Sequence, residues 1–104
     1  MGKHMNINDI QLGNLYSFPD DDIALFSFND PTNDRSYSSI DILLRNQLFV
    51  VLNVLKVDLV NPKTTVFRIN ILTPKGVFWL SVQEFELNFI KAITAENNRK
   101  NKVE

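Results

Sequence analysis

At 104 residues, with 44% hydrophobic and 22% charged side chains, the chain is long enough for one ordinary core and too short for two. That excludes a multidomain or globally disordered protein. A net charge of −1 argues against a dedicated phosphate-backbone binder. The absence of cysteine removes disulfides, thiolate zinc sites and cysteine nucleophiles together, and it fits a cytoplasmic protein.

The longest apolar run, Leu48 to Leu52, falls far short of the roughly 20 residues a membrane helix needs, so no membrane partner is expected. The opening MGKHM reads as an expression scar ahead of a start at Met5, which makes the single histidine, His4, foreign to the fold. The domain is expected over 6–95, with 1–5 as the scar and 96–104 as a polar, mildly basic tail. The charge total hides an asymmetry. All eight aspartates lie between Asp9 and Asp58, whereas from Val60 onward seven Lys or Arg face four Glu.

In chain order, Ile10 to Phe18 reads as a first strand, with Gly13 interrupting the alternation as a bulge would and Pro19 ending it. Asp20, Asp21 and Asp22 make a solvated turn. Ile23 to Phe28 is a second strand, expected to pair with the first across that turn. Asn29 to Ser39 is a polar loop rich in turn formers. Ser38 or Ser39 then caps a short helix near 39–46, in which Ile40, Leu43 and Leu44 share a face.

The stretch from Leu48 to Val82 organises the rest. Three runs rich in Val, Ile, Leu and Phe are separated by NPKTT and TPKG, the pattern of an antiparallel meander. In the first run Val50, Leu52 and Val54 alternate. Leu55, Val57 and Leu59 must then face the same way if Lys56 and Asp58 are to reach water, so a bulge is expected at Val54–Leu55. Phe67, Ile69 and Ile71, then Phe78, Leu80 and Val82, take the core side. Gly76 supplies a positive φ in the second turn. Ser81 and Glu84 match a capping box and predict a 3₁₀ turn near 81–85; the EFELNFIKAI that follows fits a strand, through Phe85, Leu87, Phe89 and Ile93, or a helix, through Phe85, Phe89 and Ile93, and a closing strand, Leu87 to Ile93, is the favoured of the two.

This order resembles the small SH3-like barrel. LGNLYSF is similar to the opening strand, the excursion to Asn46 takes the place of the RT loop, and SVQEF resembles the 3₁₀ turn before the last strand. The style also resembles short SH3-like proteins of tailed bacteriophages, with Gly76-Val77-Phe78-Trp79 standing for their terminal glycine–tryptophan turn. The resemblance implies a mainly β fold, an antiparallel barrel of five to six strands. It implies no function, because the fold hosts many, and the ALYDY-type signature of proline-peptide binders is missing.

No residue frame carries catalysis. Cysteine is absent, the one histidine is foreign, and no G-x-S-x-G holds a nucleophile, so an enzyme is not expected. Three consecutive aspartates diverge, unlike the alternate ligands of a calcium loop, and neither metal nor cofactor is expected. Two binding surfaces remain. Lys56, Arg68, Lys75 and Trp79 on the outer face of the meander would offer cations beside an aromatic platform, as a weak nucleic-acid-binding SH3-like or KOW-type domain requires. Phe49, Val51, Val66, Val77 and Trp79 on that face would instead form an apolar patch for a protein partner or a second copy. The expected function is therefore a non-enzymatic, cytoplasmic protein-binding module, with nucleic acid as the alternative. Its expected surface is Trp79, Arg68, Lys56, Phe49, Val51 and Lys75. If the chain is phage-encoded, it would act on a host protein in the host cytoplasm.

Overall fold

The computed structural model describes residues 7–28, 30–32, 37–60 and 63–93. The stretches expected to be a scar and a tail, and parts of two polar loops, lie outside these residues. Among the described residues there are seven strands: β1 (Leu15–Ser17), β2 (Ile23–Phe28), β3 (Tyr37–Leu43), β4 (Phe49–Val60), β5 (Lys63–Thr73), β6 (Gly76–Gln83) and β7 (Lys91–Ile93). They form one antiparallel sheet in the order β3-β2-β6-β5-β4-β1-β7, curled into an open half-barrel. Short 3₁₀ turns occupy Ile7–Asp9 and Glu84–Phe89.

The meander from β4 to β6 follows the expected alternation of strands and turns. Val51 to Val60 pairs along β5, and Val66 to Thr73 pairs along β6. The second turn is held by Thr73, whose Oγ1 accepts the Lys75 N–H at 3.1 Å and donates to the Gly76 carbonyl at 3.0 Å. Gly76 sits at φ +132°, as the turn demands.

Two corrections concern the excursion before the meander. The stretch expected to be a helix near 39–46 is mainly strand β3, paired with β2 from Ile23↔Leu43 to Phe28↔Tyr37. The helical face is not realised: Leu43 is buried, while Ile40 and Leu44 are exposed. Pairing partners supplied by β2 outweigh a local spacing that suits either structure. β2 in turn pairs with β3 and β6 and not with β1. The count therefore rises from five or six strands to seven, and the sheet stays open. Asp41 faces Leu25 and Ser39 faces Phe26, so Ile40 is an extra residue that bulges the edge strand.

The core lies on the inner face. Directly paired residues point the same way, so Val51 with Ile71, Ile69 with Leu80, and Phe67 with Val82 form cross-strand layers. Tyr16 and Phe18 close them from one end, with ring centroids 6.3 Å and 5.8 Å from that of Phe49. Each such fully buried side chain contributes about 1.5–3 kcal/mol. Leu87 and Ile90, from the 3₁₀ turn and the residue after it, complete the core. That turn starts two residues later than expected: the Gln83 N–H donates to Glu86 Oε1 at 2.7 Å, while Ser81 stays in strand β6.

The bulge of β4 also sits elsewhere. Val51 faces Ile71 and Asn53 faces Asn70, which makes Leu52 the extra residue. Before it the core phase is Phe49 and Val51, the opposite parity to that expected. At the other end Gly13, at φ +86°, donates to the Val51 carbonyl at 2.7 Å, and Val51 N–H donates to Asn14 O at 3.3 Å. Two residues there answer one, as a bulge at Gly13 implies.

Asp22 acquires a structural role. Its Oδ1 accepts the backbone N–H of Arg45 at 2.8 Å and lies 3.8 Å from the Arg45 guanidinium. The acidic turn is thereby tied to the turn between β3 and β4, where the Asn46 N–H also donates to Phe18 O at 2.8 Å.

Candidate functional site

The outer face of the sheet is built by the residues that alternate with the core. Its register produces one continuous row across five strands: Ile93 faces Leu15, Leu15 faces Val50, Val50 faces Leu72, and Leu72 faces Val77. Every member is a branched aliphatic. Leu15, Leu72 and Val77 remain 36%, 44% and 56% exposed, with Leu48 and Leu52 also open beside them. The next row, Asn53–Asn70–Trp79–Phe26–Ser39, is uncharged as well.

The third row contains the one charge on this part of the face, and the chain covers it. Arg68, only 3% exposed, stands between Leu55 and Ser81. Its Nε donates to Ser81 Oγ at 3.0 Å and its Nη1 to the Pro31 carbonyl at 3.2 Å. The Phe28 ring lies over the guanidinium at 4.2 Å, a cation–π contact strengthened by burial. Trp79 meets Phe28 edge to face, with centroids 6.2 Å apart at 83°. The end of β2 and the turn after it thus roof one half of the outer face and leave the aliphatic row open.

The six expected surface residues are divided by this arrangement. Phe49 and Val51 are 1% exposed and belong to the core, a correction that follows from the bulge lying at Leu52. Arg68 has the expected outward parity but is buried beneath Phe28. Trp79 is half-buried on the outer face beside it. Lys56 is exposed, yet it faces Phe67 and so shares the parity of the inner face. Lys75 lies at the rim in the β5–β6 turn, with Nζ 3.2 Å from Asp41 Oδ1. Of the four outside the core, Arg68 and Trp79 are gathered into one cluster, through Phe28.

The electrostatics of the rim are local. The Ile42 backbone N–H at 2.8 Å, and then Lys75, hold the Asp41 carboxyl below the usual carboxylate range. Asp30 is lowered in the same direction by the Thr32 hydroxyl at 2.7 Å and then the Thr32 backbone N–H at 3.0 Å. The hollow at the β4–β5 hairpin end is open, and its carboxylate, Asp58, is engaged by the Thr65 hydroxyl at 2.7 Å. Among the described residues no three acidic or histidine side chains converge, and no helix is long and apolar enough to cross a membrane.

Of this row, alternation in the sequence places Val77 alone on the outer face, although Leu15, Val50 and Leu72 carry the same signal. Leu15 beside Tyr16, Val50 beside Phe49 and Val51, Leu72 beside Ile71, and Val77 beside Phe78 are apolar positions on both faces of one strand. A strand apolar on both faces is either covered on both or offers one face to a partner. No protein-family model, curated protein or solved structure matches the chain.

Proposed function

We propose that this chain is a non-enzymatic module that binds a protein through the outer face of its sheet. One observation carries the reading: the aliphatic row from Ile93 through Leu15, Val50 and Leu72 to Val77, with Leu15, Leu72 and Val77 exposed, bordered on the Trp79 side by an uncharged row. Interface centres are depleted of charge and enriched in apolar and aromatic side chains, and an exposed apolar patch on a small domain marks such a site. Trp79 borders the row and is the aromatic anchor of the face.

The finer fold reading is an SH3-like barrel in the style of short tailed-phage proteins. It is supported by the order β7-β1-β4-β5-β6 and by the 3₁₀ turn directly ahead of β7. In that reading the β2–β3 hairpin stands where the RT loop would be. The chain acts in a cytoplasm, that of the host if phage-encoded, by occluding or scaffolding a partner protein. The nucleic-acid reading is the weaker, because the Arg68 guanidinium is held by Phe28, Ser81 and Pro31, and Lys75 by Asp41.

The test compares the wild-type chain with Leu72→Lys and Val77→Lys for capture of an identified protein, repeated with that protein purified. Capture is expected to fall at least tenfold in both variants, while duplex DNA and single-stranded RNA are not bound at about 0.15 M salt. Salt-sensitive nucleic-acid binding weakened by Lys56→Ala, with no effect of Leu72→Lys on protein capture, would overturn the reading.

A further inference from the structure

The β4–β5 hairpin runs past both of its neighbours. β1 pairs with β4 only at Phe49 and Val50, and β5 meets β6 only from Val66 onward. Among the described residues the end of the hairpin is thus a two-stranded ribbon, an arrangement that is marginal without a third strand. One margin of β4 is open there from Val54 to Val60. Val51 still directs its N–H and C=O to Asn14 and Gly13. Beyond the extra residue Leu52, alternation gives Val54, Lys56, Asp58 and Val60 the main-chain groups that face away from β5. The Val54 N–H fits this placement, since it donates to Asn53 Oδ1 at 2.9 Å.

The open margin matches itself. Residues 54–60 read Val-Leu-Lys-Val-Asp-Leu-Val, the same from either end once Lys and Asp are exchanged. An antiparallel copy centred on Val57 therefore sets Val54 against Val60, Leu55 against Leu59 and Lys56 against Asp58. Paired residues share a face, so Lys56, Asp58 and their two counterparts make a square of alternating sign. Both side chains are exposed, and neither has an ion-pair partner among the described residues. The Thr65 hydroxyl holds the Asp58 carboxylate through Oδ1 at 2.7 Å and leaves Oδ2 for the cation. Val60, 87% exposed, gains an aliphatic neighbour in the copy's Val54. Val57 is already buried by its own chain, so the charges and the main chain decide the pairing. The charges also fix the register. A slip of two residues keeps the main-chain bonds in phase but opposes Lys56 to Lys56 or Asp58 to Asp58. Charge on a free edge ordinarily deters pairing; this pair deters the neighbouring registers and favours the matched one.

We propose that the margin from Val54 to Val60 is a strand-addition site whose occupant is the same margin of a second copy. The two β4 strands pair antiparallel about a two-fold at Val57, and the two hairpins join in one four-stranded ribbon. Main-chain hydrogen bonds supply the affinity, and the Lys56–Asp58 pairs select partner and register. A single strand pair buries less than the ~1,200 Å² at which stable interfaces begin, so the dimer is weak and exchanging, with a Kd on the order of 100 μM. The site is separate from the outer aliphatic row, and neither depends on the other.

Sedimentation equilibrium of the full chain from about 10 μM to 1 mM tests this, with Lys56→Asp and Asp58→Lys compared singly and together. Each single reversal sets like charges against each other twice and should weaken the dimer at least tenfold. The double reversal restores opposite signs and should return the Kd to within about threefold of wild type, which damage to the fold would not allow. Because the chain has no cysteine, a second measurement avoids the charge substitutions. In a glutathione redox buffer Val57→Cys should form a disulfide-linked dimer, since facing residues of a non-hydrogen-bonded pair have Cα atoms about 4.5 Å apart. Val60→Cys is far more exposed but lies about 20 Å from its counterpart, and should not link. Leu72→Lys, on the outer face, should leave the dimer unchanged. A chain still monomeric at the highest concentration, a double reversal as weak as the single ones, or Val60→Cys linking as readily as Val57→Cys overturns the proposal. A dimer lost in Leu72→Lys and kept in both single reversals overturns it as well, by moving self-association to the outer face.

Discussion

Arg68 shows how one side chain can change the meaning of a surface. Outward parity in β5 suggested a free cation, yet its guanidinium is stacked under Phe28 and bound to Ser81 and Pro31. Its planar fork satisfies both acceptors while its face meets the ring, a combination that lysine lacks. Arg68→Ala is therefore expected to destabilise the fold by about 2–4 kcal/mol, through lost packing and orphaned acceptors. Arg68→Lys should cost about 1–2 kcal/mol. Urea unfolding followed by Trp79 fluorescence measures both, and a change below about 0.5 kcal/mol in Arg68→Ala would contradict the roofed arrangement.

At the level of elements, what was legible is what local alternation controls. The runs of β5 and β6, their turns and the positive φ of Gly76 follow from residue pattern alone. The β3 strand was not legible, because Ile40, Leu43 and Leu44 satisfy a helical spacing equally well and only β2 decides between the two. The bulge at Leu52 was displaced in the expectation for a related reason. Lys56 was assumed to need the outer face, whereas it is exposed on the inner-parity side of the long hairpin, opposite Phe67. The turn that leads into β4 supplies a test of local geometry. Asn46 occupies the left-handed region at φ 66°, a conformation asparagine tolerates and alanine resists. Asn46→Gly should change stability by no more than about 0.5 kcal/mol, and Asn46→Ala should cost about 1 kcal/mol. Equal thermal midpoints for the two variants would show that the turn relaxes instead of bearing the strain.

For the molecule as a whole, the candidate face became visible only when register joined strands far apart in sequence. Leu15 and Ile93 are neighbours through β1 and β7, and no local pattern places them beside Leu72. The response to acid is mainly local: the Ile42 N–H and then Lys75 lower Asp41, and Thr32 lowers Asp30. Asp41 joins β3 to the β5–β6 turn through Lys75, and both Asp41 and Asp30 have carboxyls lowered by folding. A carboxyl lowered in the folded state stabilises the fold above the ordinary carboxylate range, and that contribution is lost as pH falls through it toward the folded value. The urea midpoint should accordingly drop between about pH 5 and pH 2, and drop less steeply in Asp41→Asn. Identical acid-side slopes in the two chains would remove Asp41 from this role. The extra residue Ile40 carries a last consequence. An open sheet has two ends, and β7 at one end is only three residues long. β3 at the other end is seven residues long and shows Ile40 and Ile42 half exposed, the profile of a template for runaway fibre growth. The bulge at Ile40 and the anchored carboxylate of Asp41 spoil that template. Both features blunt this edge against pairing with a further strand.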